Sequence, residues 1–144
     1  MQVSGPWSHA EIERHLAESV IPLRLGFKAG AWPIVVSLWY LYRDGALWCA
    51  VHERSHTYRR LARDPRCAFE VAGDTPPYHG VRGRGRATLD PTVGRDVLRE
   101  LQSRYLGPRE TALGRWLLGR EGVEYAVRIA PARLASWDYT DRMR

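Results

Sequence analysis

Ile12, Leu16 and Val20 recur every four residues behind Ser8-His9-Ala10-Glu11. At that spacing the serine hydroxyl and the glutamate carboxylate can each satisfy an orphaned backbone donor. An amphipathic helix is predicted over about residues 8–19, stopped by Pro22. The period then drops to two, with Leu23, Leu25 and Phe27 alternating with Arg24 and Gly26 in the manner of a half-buried strand. Residues 33–42, Pro-Ile-Val-Val-Ser-Leu-Trp-Tyr-Leu-Tyr, carry no charge and are apolar on both faces. Ala46 to Val51 has the same character after an Asp44-Gly45 turn. Together they predict a long hairpin at the centre of a sheet or barrel, covered on both sides. A chain of 144 residues has little left to cover the outer side, so a second copy is expected there, in a homodimer.

Ser55 to Arg63 is polar and basic, with Tyr58 and Leu61 as apolar contacts, and predicts a short helix ending near Asp64-Pro65. Cys67, Phe69 and Val71 restart a strand. Residues 79–89 alternate again, with Arg82, Arg84 and Arg86 opposite Val81, Gly83 and Gly85, and the strand glycines permit a close backbone approach. Asp90-Pro91 predicts a helix start with proline in the first helical position, followed by Val93, Val97, Leu98, Leu101 and Tyr105 on one face. A second helical piece carries Leu113, Trp116 and Leu117. Two strands are expected at the end, Val123 to Ile129 and Leu134 to Trp137. Strands joined by short turns predict a mainly β fold with flanking helices, its sheet antiparallel and large enough to close as a barrel.

Composition adds little to this picture. With 44% hydrophobic and 26% charged residues, one globular domain over residues 1–144 is expected. No run reaches the ~20 apolar residues of a membrane span, and Met1 to Pro6 lacks the regions of a signal peptide, so a cytoplasmic protein with no membrane partner is expected. Cys49 and Cys67 stand apart from each other and from any histidine cluster, which predicts two reduced, packed thiols and no metal site. The formal charge of +6 favours anionic partners, but Lys28 is the only lysine among 22 basic residues, which points to a compositional bias toward arginine.

Nucleophilic catalysis leaves no trace: the chain has no GxSxG, no HExxH, and five scattered histidines. Gly83 and Gly85 do not form a dinucleotide fingerprint, because Thr88 occupies the third glycine position. His52 to Arg60 is different. There a strand end leads into a helix start rich in hydroxyls and arginines, and free backbone donors beside guanidinium groups suit a phosphate. The run Arg82 to Arg86 could track a nucleic-acid backbone, yet Trp39, Tyr40 and Trp48 lie in segments too apolar for an exposed stacking platform. A flat planar ligand held between two chains suits those aromatics better, and nucleic acid ranks below it.

Several of these segments, in this order, resemble the pyridoxamine 5′-phosphate oxidase-like split-barrel flavoproteins. They are Pro33 to Tyr40, Asp44 to Trp48, Ser55 through Leu61 to Arg66, and Val81 to Ala87. The resemblance covers nearly the whole chain. It implies an antiparallel split β-barrel of the FMN-binding type, a homodimer with two flavin sites between subunits, and oxidoreductase activity by hydride transfer through FMN or, alternatively, the deazaflavin coenzyme. A non-catalytic flavin- or haem-binding storage protein is the other reading within the family. By the same resemblance Val35, Val36, Ser37 and Leu38 meet the ring edge; no side chain need act as an essential acid or base, and if one does, Ser37 and His52 are the first candidates, as donors to the ring. Val51, His52, Ser55, His56 and Thr57 hold the phosphate, and Arg82 and Trp137 belong to the site, with Asp138 beside them. The family carries Arg-Lys where His56 and Thr57 stand, so Arg54, Arg59 or Arg60 is expected to supply the missing charge.

Overall fold

The computed structural model describes all 144 residues. In chain order the elements are β1 (Gln2–Ser4), α1 (His9–Glu18), β2 (Leu23–Ala29), β3 (Trp32–Leu38), β4 (Leu41–Arg43), β5 (Ala46–His52), α2 (His56–Arg63), β6 (Arg66–Ala72), β7 (His79–Asp90), α3 (Gly94–Leu106), α4 (Ala112–Gly119) and β8 (Glu124–Asp138), then a 3-10 turn at Asp141–Met143. No helix is long and apolar enough to cross a membrane. The strands form one sheet in the order β3-β2-β6-β7-β8-β5-β4, antiparallel throughout except that β1 adds to β8 in parallel. Its concave side holds one core. Leu25 and Phe27 of β2, Cys49 and Val51 of β5, Phe69 of β6, Val81 of β7 and Ile129 of β8 meet there with Ile12 and Leu16 of α1. Those two leucine-spaced positions are fully buried, and the capping box predicted for α1 forms through both Ser8 and Glu11.

The apolar run 33–42 is not one strand. β3 pairs only with β2 and forms one end of the sheet, while only Leu41–Arg43 pairs with β5. The predicted central hairpin is therefore wrong, because the chain leaves the ladder at Trp39 and Tyr40. Tyr40 is fully buried. Its amide donates to the Tyr105 hydroxyl (3.1 Å) and its own hydroxyl donates to the Leu16 carbonyl (2.7 Å), tying the corner to α3 and α1. Trp39 stacks on Tyr105 at 5.3 Å. Side-chain bonds thus replace the backbone bonds that a continuous strand would make. The apolarity of β3 has a different cause from central burial: Val35 is 68% exposed and Trp32 is 77% exposed on an edge strand that nothing in the chain covers.

Three other expectations change. α3 begins at Gly94 rather than at Pro91, since Asp90 still belongs to β7 and turns back through bonds from Thr92 to its carboxylate. Gly94 packs so closely on β8 that a Cβ there would lie 1.9 Å from the Glu124 carbonyl oxygen. The two final strands are one, β8, with a register shift against β7 at Arg84/Gly85, opposite Pro131, where the proline would otherwise interrupt the ladder. β1 gives no periodic signal in three residues. It is held by the Trp7 amide, which donates to the Ser136 hydroxyl, and by the Trp7 ring, which lies against His15 and His79. The close approach allowed by Gly83 is internal. A Cβ there would meet the Arg133 carbonyl oxygen and the Phe69 ring, both at 2.6 Å.

Candidate functional site: a strand edge, a helix start and two grooves

The β5–α2 junction is built by its own backbone. Ser55 caps α2, its hydroxyl accepting the Tyr58 amide at 3.0 Å, and its own amide donates to the His52 carbonyl. The His56 and Thr57 amides have no partner in the chain, as expected of a first helical turn. Arg59 folds back, donating through Nη1 to the Arg54 carbonyl at 3.0 Å, while Arg54 is exposed and Arg60 half-buried. This short helix has free donors in its first turn, guanidinium groups beside it and no acidic residue, which is the chemistry an anion needs. Thr57 is buried, so its contribution is its amide; His56 is exposed.

His52 does not act as expected. Its Nδ1 accepts the Arg54 amide (3.1 Å), so its Nε2 carries the proton and donates to the Glu121 carbonyl (2.7 Å). Both ring nitrogens are used in joining β5 to the loop before β8, and the side chain has no donor left for a flavin ring. Val51 faces the core, and Val36 and Leu38 pack against that core from β3. Of the ring-edge residues, Val35 and Ser37 alone point outward.

Register explains what lies beyond them. On the outer sheet face one cross-strand row reads Ser37, Arg24, Glu70, Arg82, Ala135, Ser4, and the next reads Val35, Gly26, Ala68, Arg84, Arg133, Gln2. Gly26, Ala68 and Ala135 leave a valley between basic ridges, a groove of about 640 Å³ that contains Val35 and Arg82. Four arginines line it against the single carboxylate of Glu70, so its field is positive. Trp137 lies next to this groove, half-buried, with the Arg82 guanidinium 5.5 Å from its ring centroid. Asp138 is turned to the N-terminal segment instead, accepting from the Trp7 indole and from Thr140.

Ser37 and Leu38 line a second groove, of about 310 Å³, with Trp39, Ala50 and residues of α3 and α4. The structure thus divides the predicted set into the helix start, the basic valley and this apolar groove. Sequence reasoning singled out Arg84 only within the run Arg82 to Arg86, and missed Arg24, Glu70 and Arg133 in the valley and Leu98, Leu101, Leu113, Leu117 and Arg120 in the groove. The valley residues were present as the polar positions of each alternating strand, and only the cross-strand register aligns them.

No protein-family model and no curated protein matches the chain. Solved structures do. The conserved hypothetical protein Rv2991 from Mycobacterium tuberculosis is 27% identical, with a TM-score of 0.76 over 93% of this chain and 86% of that one. An F420 reductase is 19% identical, with a TM-score of 0.69 over 90% of this chain and 97% of the other. A protein provisionally named pyridoxamine 5′-phosphate oxidase, from Listeria innocua, is 13% identical, with a TM-score of 0.66 over 87% and 94%.

Proposed function

The chain has the split-barrel fold of the pyridoxamine 5′-phosphate oxidase-like, FMN-binding proteins, and from that premise we propose that it is a flavin-dependent oxidoreductase working as a homodimer. FMN is the first cofactor to test and the deazaflavin coenzyme the second. The observation that carries the reading is the β5–α2 junction: the unpartnered His56 and Thr57 amides and the arginines at 54, 59 and 60 suit the phosphate that both cofactors carry. The exposed, apolar Val35 on the outer side of β3 supports a second copy as its cover, since it would otherwise remain in water.

Bound there, a flavin supplies hydride chemistry at its N5 position. The residues of this chain bind, orient and exclude water. The α2 amides fix the phosphate end, Val35 and Ser37 present the β3 edge to the ring, and the positive valley favours an anionic tail. A haem-binding role is the other reading, and it draws no ligand from His52, whose ring nitrogens are both engaged.

The test is a side-by-side titration of the purified protein with FMN and with the deazaflavin coenzyme, followed by absorption and by sedimentation. A saturable complex with one of them, on a particle of twice the chain mass, is expected. A colourless protein that binds neither overturns the proposal, and a monomeric complex overturns the paired site.

A further inference from the structure

The groove at the second end of β3 has a chemical character of its own. Leu38, Trp39, Ala50, Leu98, Leu101 and Leu117 wall it, and Arg120 is the one charged side chain that lines it. That arginine is held on three sides. Its Nη2 donates to Glu124 Oε1 (2.5 Å), its Nε approaches the Leu117 carbonyl (3.4 Å), and its guanidinium lies 5.3 Å from the Trp116 ring centroid. Nη1 has no partner in the chain. Behind it, the Glu124 side chain is 6% exposed and its Oε2 is buried without a hydrogen bond.

This arrangement selects among ligands. The Arg120–Glu124 pair carries no net charge, so an anion docked on Nη1 would face an already neutralised guanidinium backed by an unsatisfied carboxylate oxygen. A cation would face the guanidinium itself. A neutral acceptor meets neither repulsion and gains a charge-assisted bond. We propose that this groove binds a neutral, mostly apolar molecule whose polar group is a carbonyl docked on Arg120 Nη1. A volume of about 310 Å³ is at the small end for ligand pockets and suits on the order of a dozen heavy atoms. Ser37 joins this groove to the outer edge of β3, so such a molecule is also the substrate class for the proposed oxidoreductase. That last step rests on the flavin reading, whereas the binding does not.

The experiment uses the protein without cofactor and two ligands of matched shape, 2-acetylnaphthalene and 2-naphthoate, titrated by calorimetry. The ketone is expected to saturate one site per chain and to bind at least tenfold more tightly than the carboxylate. Leu117→Glu, which places an acid in the apolar wall, is expected to abolish ketone binding. The double variant Arg120→Leu/Glu124→Leu, which removes both charges and leaves no buried ion alone, is expected to lose tenfold or more and to erase the preference. Equal or tighter binding of 2-naphthoate by the unmodified protein overturns the proposal, as does absence of saturable ketone binding or wild-type binding by the folded double variant. FMN and deazaflavin titrations read the proposed function separately: ketone binding in a protein that takes no flavin overturns that function and leaves this site standing.

Discussion

Ser55→Asp separates charge from structure at the proposed phosphate cradle. Serine caps α2 through an oxygen that accepts the Tyr58 amide, and aspartate caps a helix about as well, so the backbone of the first turn is retained. What changes is a full negative charge beside the His56 and Thr57 amides, within one residue of where a phosphate oxygen would bind. Two unit charges about 5 Å apart repel by about 1 kcal/mol in bulk water and about 3 kcal/mol at the effective dielectric of a protein surface. Affinity should therefore fall by roughly fivefold to 150-fold. Ser55→Ala is the control, since it loses about 0.5–2 kcal/mol of helix stability but adds no charge. Fluorescence titration with FMN at low salt and at 0.5 M salt gives the measurement, and the Ser55→Asp deficit should shrink at high salt as the repulsion is screened. A folded Ser55→Asp protein that binds FMN as tightly as the wild type at low salt would refute the placement of the phosphate.

Gly94→Ala puts a methyl 1.9 Å from one backbone oxygen of β8 and 2.5 Å from its carbon, so neither side can yield. A loss of about 2–3 kcal/mol, seen as a fall of roughly 6 °C or more in Tm by calorimetry, is expected, and an unchanged Tm would show that α3 does not pack here. Burial, with His79 nearby, holds the His15 imidazole below the ordinary histidine range, against the pull of the Val71 carbonyl. The neutral form is the one that fits, so its contribution to stability is complete above about pH 6.5 and is lost as pH falls through the lowered value. Urea midpoints at pH 7.5 and 5.5 should diverge in the wild type and less so in His15→Gln, and equal divergence in both would assign the effect elsewhere. Burial raises the Cys49 thiol and pushes Cys67 up to about 11. Neither should react with a disulfide reagent at pH 8 until guanidinium is added, and rapid labelling of the native protein would contradict the packing.

Local rules carried far in this chain, and they failed where a tertiary contact outweighed them. α1, β2, α2 and β6 were legible because cap chemistry and period agree with burial in each. Residues 33–42 misled because apolarity on both faces has two physical sources, a covered strand and an uncovered interface strand, and composition does not distinguish them. The break at Tyr40 depends on Tyr105, far away in sequence. The long β8 was read as two strands, and the register shift opposite Pro131 that keeps it in one ladder is invisible in one strand alone. The helix-start chemistry at Ser55 was legible, whereas the engagement of His52 depends on Glu121, and the apolar groove depends on α3 and α4 meeting the end of β3 beside Ala50.

The position of β8 bears on how the molecule is made. It follows every other strand in translation order, yet it lies between β7 and β5 and also carries β1. Until residues 124–138 leave the ribosome, the β4–β5 hairpin and the first strand have no neighbour, and each exposes an unpaired edge. The sheet must remain incompletely assembled until then, when β8 joins β7, β5 and β1 through one ribbon. Ribosome-bound chains stalled before residue 124 should accordingly be degraded readily by protease, and those stalled well beyond residue 138 should resist it.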